Sequence, residues 1–300
     1  MASIGLRERE NRKKFFLYIS PWLIGLVAFT VVPLILSIVY SFTNTTMATV
    51  NSEPLEFIGF NNYIYIFTKD TLFQEAIKTT FIYAIVKVVL IVVLALVFAL
   101  ILNRKIFGRK TFRVLIYLPA VIPVVSISLL WKLIFLGEDN VANYFLSFLG
   151  LAPVEFFADQ ASSLATIIFI GVWGGLGPTM LIILAAIQGV NPELLEAAEL
   201  DGANGFQRII HIVIPSISNA MVFVILTSMI SALQAYAEVE LLTGGANSTA
   251  TMSLLIVKNA FEEIGSETLG YACAQGWVVF LITFGLSLIY VIKSSKKESK

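Results

Sequence analysis

The sequence has little charge and little of the two residue types that most often carry metal or covalent chemistry. Asp, Glu, Lys and Arg make up 13% of its 300 residues, against roughly 25% in ordinary soluble domains. One cysteine, Cys273, excludes an intrachain disulfide framework and a thiolate metal cluster. One histidine, His211, excludes a His-rich metal site or relay. The formal net charge is zero, so the chain has no basic footprint for nucleic acid.

The sequence is instead rich in apolar residues. Hydrophobic residues make up 58% of the chain, and its mean hydropathy is +0.87. A water-soluble fold of this length cannot hide so much apolar surface, because the buried fraction rises only slowly with chain size. The composition therefore predicts an integral membrane protein and argues against a soluble enzyme or a disordered chain.

Long charge-poor runs predict the membrane spans. A bilayer needs about 20 apolar residues per helix, and each run holds one such helix without being clearly long enough for two. The alternating segments of about 10 residues that an outer-membrane barrel requires are absent. The predicted fold class is an all-α integral membrane protein with six transmembrane helices, at about 15–41, 79–102, 113–136, 163–187, 213–237 and 271–292.

The distribution of Lys and Arg predicts the orientation. With the N-terminus inside, 15 of the 20 Lys and Arg residues fall on inner segments, whereas the outer segments hold Lys69, Lys78 and Lys258. Because Lys and Arg concentrate on the cytoplasmic side, both termini are expected there, with cytoplasmic segments 1–14 and 293–300 around a transmembrane domain of 15–292. The first span is too long for a signal peptide, and no small-residue cleavage site follows it.

A helical repeat of apolar residues appears in the first outer loop. Phe60, Tyr63, Ile64 and Phe67 have the spacing of one helix face, and Asn61 suits the N-cap. The repeat predicts a short helix. Its apolar face would lie either on the outer membrane interface or against the helix bundle.

The inner segment 191–215 differs from a simple linker because consecutive residues specify a helix, a turn and a second helix. Asn191 suits an N-cap and Pro192 the first helical position. Gly202 tolerates positive φ and ends the first helix, and a second short helix is expected from Asn204. The segment therefore predicts a helical hairpin that protrudes into the cytoplasm.

Two interpretations of this hairpin stay open on its pattern alone. It could only tie two spans together, or it could dock a cytoplasmic partner. In the second case Leu194, Leu195 and Phe206 would be the exposed apolar anchors, and Glu196 and Glu199 would form ion pairs with the partner.

The hairpin also resembles the EAA motif of ABC importer permeases, and other stretches are similar to the oligosaccharide branch of that family, which includes the maltose and glycerol-phosphate importers. The similarity extends over about 15–290, with Ala246 standing where the family usually has proline. The residues that carry it are Glu196-Ala197-Ala198, Asp201-Gly202-Ala203, Phe206, Ile212 and Pro215, together with Phe57 to Tyr63, Tyr117-Leu118-Pro119 with Pro123, Leu241 to Gly245, and Gly270-Tyr271-Ala272.

The resemblance implies a type I ABC importer permease fold in a bacterial-type inner membrane. Two permeases, usually related chains, would pair with two cytoplasmic ATPase subunits, and an extracytoplasmic solute-binding protein would deliver a sugar, with oligosaccharides favoured. It further implies that Glu196 contacts the ATPase and that Gly202 permits the turn. The implied ATPase-coupling residues, on coupling helices within 191–212, are Glu196, Ala197, Ala198, Asp201, Gly202 and Phe206.

The chain lacks the residues that would let it bind or hydrolyse nucleotide by itself. It has no Gly-Lys dipeptide and therefore no P-loop. The sequence thus predicts a non-catalytic transport subunit without a cofactor or metal of its own, with ATP and Mg²⁺ on the partner ATPase.

A stripe of polar residues along the fifth span suggests a route for a polar solute. It could line a pathway, or its hydroxyls could bond backbone carbonyls and join helices. In the fourth span, glycines and Pro178 could break the helix where it lines a cavity, and Trp173 could stack on a sugar ring. The candidate pathway residues are Trp173, Gly175, Thr227, Ser231, Gln234, Tyr236 and Glu238.

Charged residues inside or near the spans leave other functions open. Lys87 is expected to have a structural partner in the bundle, Lys132 to snorkel to the interface, and Glu238 to be solvated near the outer end. A secondary transporter would need titratable groups at mid-depth, and an intramembrane enzyme would need acid–base pairs that are absent. An ABC permease for a polyamine or amino acid is a further alternative.

Overall fold

The computed structural model describes residues 15–50, 52, 54–137, 140–261 and 269–298, with the side chains of 289–298 excepted. The predicted cytoplasmic segment 1–14 and residues 299–300 of the predicted tail lie outside the described residues. Within the described ranges the secondary structure is helical apart from one isolated bridge between Thr43 and Phe57. The all-α prediction is confirmed.

The described residues contain thirteen helical segments. The first contains a π-helical turn at Val27–Val31, and the fourth ends in a 3-10 turn at Leu118–Val121. They are α1 Phe15–Ser41, α2 Asn61–Thr68, α3 Thr71–Asn103, α4 Arg109–Val121, α5 Val124–Phe135, α6 Val141–Phe148, α7 Gln160–Gln188, α8 Pro192–Leu200, α9 Gly205–Ser216, α10 Ser218–Leu233, α11 Ala237–Leu242, α12 Met252–Phe261 and α13 Leu269–Glu298.

Four of these helices are long and apolar enough to cross a membrane by themselves. They are α1, α3, α7 and α13. At a rise of about 1.5 Å per residue, each can cross the roughly 30 Å hydrocarbon core of a bilayer. They contain the runs from which the first, second, fourth and sixth spans are predicted.

The predicted third and fifth spans are not continuous helices, and in this respect the prediction is wrong. Helices α4 and α5 meet at 98°, and α9 and α10 meet at 73°. At the first bend Ile122 is extended, at φ −78° and ψ 131°, because the ring of Pro123 disfavours the helical conformation in the residue before it. Counting each bent pair as one span brings the total to six.

The fourth predicted span does not break, contrary to the expectation from its glycines and proline. Helix α7 continues through Pro178, and its glycines allow close packing instead. A Cβ on Gly171 would lie 2.8 Å from the Tyr83 hydroxyl, and one on Gly177 would lie 2.7 Å from the Ile116 carbonyl oxygen. Small residues at such positions let helices approach closely in a membrane.

The described chain divides into two compact units. The first takes its residues from 15–69 and 256–278, and the second from 70–255 and 279–298. In the second unit α3 packs along α7, and α10 contacts both. Tyr83, Ile167 and Met180 are fully buried there, so this packing forms the frame for the site described below.

In the first unit, the helix predicted in the first outer loop is present as α2. The Asn62 side chain donates hydrogen bonds to the carbonyls of Ser41 (2.9 Å) and Thr43 (3.1 Å) and so ties the helix to the end of α1. Asn61 is the first helical residue rather than the cap, which is Phe60; the cap prediction is wrong. On its apolar face Phe60, Ile64 and Phe67 are exposed among the described residues.

Candidate functional site

A cavity of about 530 Å³ lies in the second unit, where the two bent spans meet the straight helices α3 and α7. The bend between α4 and α5 contributes residues from Pro119 to Ser128 to its wall. Helix α10 contributes Thr227, Ser228 and Ser231, α11 contributes Glu238, and α3 and α7 contribute the other lining residues. Irregular backbone at membrane depth is tolerated where it lines such a cavity.

A second break, between α10 and α11, brings Glu238 into this cavity. Helix α10 ends at Leu233, Gln234 has φ −99° and ψ 16°, and Tyr236 at φ −131° precedes the new helix. Glu238 therefore does not continue the helical stripe of Thr227 and Ser231. It points from a new axis toward α3, where it meets Lys87.

Lys87, Tyr83 and Glu238 form a hydrogen-bonded group at the cavity wall. The Tyr83 hydroxyl donates to Glu238 Oε1 at 2.9 Å, and Lys87 Nζ donates to the Tyr83 hydroxyl at 2.7 Å. Lys87 Nζ also lies 3.4 Å from Glu238 Oε1, and the two side chains are only 9% and 17% exposed. The structural partner expected for Lys87 is present, but the expectation of a solvated Glu238 is wrong because the helix break turns it inward.

Hydroxyl groups supply most of the remaining polar lining. Ser128 is completely buried, and its Oγ has no hydrogen-bond partner among the described residues. Thr179 and Thr227 line the cavity while donating to the carbonyls of Gly175 (3.1 Å) and Phe223 (2.9 Å). Both interpretations of the polar stripe therefore apply to Thr227, which bonds its own helix and also faces the cavity.

Four of the seven candidate pathway residues line the cavity and three do not. The lining includes Gly175, Thr227, Ser231 and Glu238. Trp173 instead packs edge-on against Trp131, with ring centroids 5.2 Å apart. Gln234 is the exposed C-cap of α10 and Tyr236 the N-cap of α11. Gln234 and Tyr236 lie off the cavity because the fifth helix, which the sequence pattern takes as unbroken, is interrupted after Leu233.

The cavity also contains polar residues that do not stand out in the sequence. Ser128, Thr179 and Ser228 line it, yet each is a single hydroxyl within an apolar run. Lys87 is conspicuous in the sequence as a lysine within a span, but its partner is 151 residues away along the chain. No local spacing could have joined these residues.

The second lysine, Lys132, also has a partner within the protein. Its Nζ donates to the Leu241 carbonyl at 2.9 Å and links α5 to α11. The snorkelling expectation stays a prediction, since this bond does not fix the depth of Lys132 in the membrane. Because α11 follows a helix break, this bond helps to hold the element that carries Glu238.

The segment 191–215 has the hairpin that its consecutive residues predict. The Asn191 side chain accepts a hydrogen bond from the Glu193 N–H at 3.0 Å, and Pro192 opens α8. Gly202 has φ +85°. Its N–H bonds to the Glu199 carbonyl at 3.1 Å while the Ala203 N–H bonds to the Ala198 carbonyl at 2.9 Å. This pair of bonds is a Schellman termination, which requires the left-handed residue that glycine supplies.

The second half of the hairpin is specified in the same local way. Asn204 and Gln207 form a reciprocal capping box, with bonds of 2.9 and 2.8 Å at the start of α9. Arg208 forms an ion pair with Glu199 across the turn. His211 Nδ1 lies 3.0 Å from the Gln207 carbonyl oxygen and belongs to a π-helical turn at Ile209–Val213.

The outward face of the hairpin is apolar and open. Leu200 is 90% exposed, Phe206 71% and Leu194 51%; Leu195 is half-buried. Of the acidic residues, Glu199 is paired with Arg208, whereas Glu196 is exposed without a salt bridge to any described residue. Among the residues implied by the family resemblance, Ala197, Asp201 and Gly202 are exposed and Ala198 is half-buried. Leu200 is an exposed apolar residue that the sequence analysis did not name as a candidate anchor.

The described residues contain no group of three or more His, Cys, Asp or Glu side chains that could hold a metal ion.

Comparison with known proteins gives one consistent result. A family model for the "Binding-protein-dependent transport system inner membrane component" matches residues 91–295. The probable ABC transporter permease protein YesP of Bacillus subtilis is 33% identical to this chain, with 96% of this chain and 92% of the relative covered. The arabinooligosaccharides transport system permease protein AraP of Halalkalibacterium halodurans is 31% identical, with 94% and 88% covered.

The fold has a counterpart among solved structures. The crystal structure of a bacterial ABC transporter involved in the import of the acidic polysaccharide alginate matches with a TM-score of 0.80 at 22% identity, over 96% of this chain and 98% of that chain. The helical bundle, its bent spans and the family match agree, and the chain is a multi-pass membrane protein that belongs to the family of binding-protein-dependent transport system inner membrane components.

Proposed function

We propose that this chain is the permease subunit of an ATP-driven, binding-protein-dependent importer of oligosaccharides. The observation that carries the proposal is a cavity between bent spans whose polar lining consists of hydroxyl groups, one ammonium group and one carboxylate. The printed name of the AraP relative, an arabinooligosaccharide transport permease, supports the same class of substrate.

A carbohydrate that leaves water must exchange its hydrogen bonds for others of similar strength. A hydroxyl buried without a partner costs about 1–3 kcal/mol on the scale of protein mutations. Ser128, Ser228 and Ser231 supply groups that both donate and accept, and Glu238 supplies a strong acceptor. Apolar neighbours such as Ile91 and Ile127 cover the less polar faces of a sugar ring.

The hairpin 191–215 is the proposed connection to a separate ATPase. Its exposed residues Leu200 and Phe206 provide apolar anchors, and Glu196, which forms no salt bridge with a described residue, provides a charge for the partner. The Schellman turn and the Glu199–Arg208 ion pair stiffen it, as transmission of a rigid-body movement requires. ATP and Mg²⁺ would be bound by the ATPase subunits, because the chain has no P-loop.

The same proposal includes the remaining partners and the orientation of the chain in the membrane. A second permease, related to or identical with this chain, would complete the pathway, and a solute-binding protein would deliver substrate from outside. The excess of Lys and Arg on the segments that include 104–113 and Arg208 supports a cytoplasmic hairpin and two cytoplasmic termini in the plasma membrane.

Uptake by membrane vesicles that contain all partner chains tests the transport function. Labelled oligosaccharide should accumulate in the presence of an uncoupler and cease to accumulate when ATP is depleted. Accumulation of spermidine or an amino acid alone would refute the sugar assignment. Loss of uptake with the uncoupler, at constant ATP, would point to a secondary transporter.

Reversal of the exposed charge tests the docking role. Glu196→Lys should abolish transport, or release ATP hydrolysis from it, while the protein still inserts in the membrane. Glu155→Lys reverses another exposed carboxylate outside the hairpin and is the control. Transport by Glu196→Lys at the rate of this control would contradict the proposed contact.

A further inference from the structure

The cavity contains one cation and one anion, and they neutralise each other. Lys87 and Glu238 are the two charged side chains among the described residues that line it, with Nζ and Oε1 3.4 Å apart. The rest of the polar lining consists of hydroxyl groups, those of Ser128, Thr179, Thr227, Ser228 and Ser231. The polar part of the lining therefore has no formal net charge.

We propose that the Lys87–Glu238 pair determines the charge selectivity of the cavity: it admits uncharged polyhydroxylated solutes and rejects both anions and cations. This inference deepens the proposed function and rests on it. A charged solute would enter a partly desolvated site with no net counter-charge, where the loss of its hydration is not compensated. An uncharged solute avoids that cost and retains the hydrogen bonds.

The bonding of Glu238 allows the pair to bind a sugar as well as to balance charge. Tyr83 and Lys87 both donate to Oε1, and no hydrogen bond from the described residues goes to Oε2. A carboxylate oxygen with free lone pairs accepts strong hydrogen bonds from hydroxyl groups. Two apolar residues in place of the pair would leave the cavity uncharged but would remove this acceptor.

The two residues of the pair lie on different helices, and either charge can be removed by a single substitution. Lys87 belongs to the long helix α3, whereas Glu238 belongs to the short helix α11 beyond a break. Glu238→Gln keeps the shape of the side chain and its bond to Tyr83 while it leaves the Lys87 charge uncompensated. Lys87→Met leaves the Glu238 charge uncompensated. The cavity then carries one net charge of known sign, which favours a solute of the opposite sign.

Equilibrium binding to the assembled transporter tests the proposal. The full chain, purified with its partner permease and ATPase in lipid nanodiscs, is titrated with labelled maltotriose, trigalacturonate and spermidine. The wild type should prefer maltotriose. Glu238→Gln should shift the preference toward trigalacturonate by about tenfold or more, and Lys87→Met should shift it toward spermidine by a similar factor. The double variant Lys87→Met with Glu238→Gln should restore the wild-type order of the three probes.

Lys78→Met is the matched control, because Lys78 belongs to the same helix α3 as Lys87 but is exposed and is not among the lining residues. Its binding preference should equal that of the wild type. Unchanged preferences in Glu238→Gln and Lys87→Met, with maltotriose still bound by the wild type, would overturn the charge filter alone. A wild type that binds spermidine or trigalacturonate in place of maltotriose, or none of the three, would refute the proposed sugar function and the filter with it.

If a single variant does not assemble, a double variant in which the two charged residues are exchanged tests the charge filter. Lys87→Glu combined with Glu238→Lys keeps both charges and the net neutrality of the cavity. Continued preference for maltotriose by this double variant supports the filter. A new preference for trigalacturonate or spermidine overturns it, because the selectivity would then not depend on the net charge of the cavity.

Discussion

The hairpin 191–215 and the cavity differ in the sequence separation of the residues whose bonds fix their shapes. In the hairpin the bonds that fix its shape join residues within nine positions of each other, such as Arg208 and Glu199. In the cavity the decisive bond joins Lys87 and Glu238, 151 residues apart. The hairpin is therefore specified by short-range chemistry, and the cavity by the packing of distant helices.

This difference predicts different responses to substitution. A change within the hairpin should alter a local turn and the coupling that depends on it, while the spans remain packed. A change in the contact between α3, α4 and α7 should disturb the cavity even when the substituted residue does not line it. The expected results below test that separation, beginning with the largest effect.

Gly177→Val should destabilise the frame of the cavity most. A Cβ at this position would lie 2.7 Å from both the Ile116 carbonyl oxygen and the Tyr117 Cα, and backbone atoms cannot rotate away. Overpacking costs about 1–3 kcal/mol and sometimes more. We expect a clear loss of thermal stability and of sugar binding. Gly174→Ala on the same helix is the control, since a Cβ there meets nothing within 4 Å; equal stability of the two variants would contradict the packing argument.

Gly202→Val should uncouple transport while it leaves the membrane helices intact. The backbone at φ +85° is strained for a β-branched residue, by about 1–3 kcal/mol, so the turn and the face presented to the ATPase should change. The ratio of transported sugar to hydrolysed ATP measures this effect. Gly205→Ala, at a glycine without positive φ and with open space around its Cβ, should behave as the wild type. A normal ratio in Gly202→Val would show that the turn does not transmit the movement.

Ser128→Ala should weaken sugar binding by a few fold to about tenfold, because one hydrogen bond contributes about 1 kcal/mol. The Ser128 hydroxyl is buried in the cavity wall without a described partner. Thr179→Val is the comparison, since the Thr179 hydroxyl already donates its proton to Gly175. Binding constants from titration of the purified complex should show the smaller loss for Thr179→Val; the reverse order would count against a role of Ser128 in binding.

The smallest effect is expected at Asp159, the exposed N-cap of α7. Its hydrogen bonds from the Ser162 backbone N–H and hydroxyl lower the pKa of the carboxyl group. A carboxyl group with a lowered pKa stabilises the folded state above its ordinary pKa, and this contribution is lost as the pH falls through the lowered value. Hydrogen exchange of the first turn of α7 should therefore accelerate in Asp159→Ala at neutral pH.

The pH dependence of hydrogen exchange gives a second test of the Asp159 cap. In the wild type, protection of the first turn of α7 should weaken only in acid, below the ordinary carboxyl pKa of about 3.9. Asp159→Asn retains an acceptor and should keep much of the protection without that acid dependence. An acid dependence that persists in Asp159→Asn would assign it to another group.

Much of the fold could be predicted from composition and charge alone. The positions of apolar runs agree with the described helices because the lipid requires about 20 consecutive apolar residues. The errors lie at Pro123, which bends the third span, and at two interruptions of the fifth span, the bend at Ile217 and the break from Gln234 to Tyr236. Pro178, by contrast, is tolerated inside α7, so a proline alone does not indicate which helix bends.

Consecutive residues were sufficient to establish the membrane-embedded helical class, the hairpin and its caps, because each of these depends on hydropathy or hydrogen bonds within a few positions. The cavity and the Lys87–Glu238 pair could not be obtained in that way. They arise when glycines of α7 let α3 approach and a helix break turns Glu238 inward. Such contacts depend on the packing of elements that are far apart in the chain, and no local pattern encodes them.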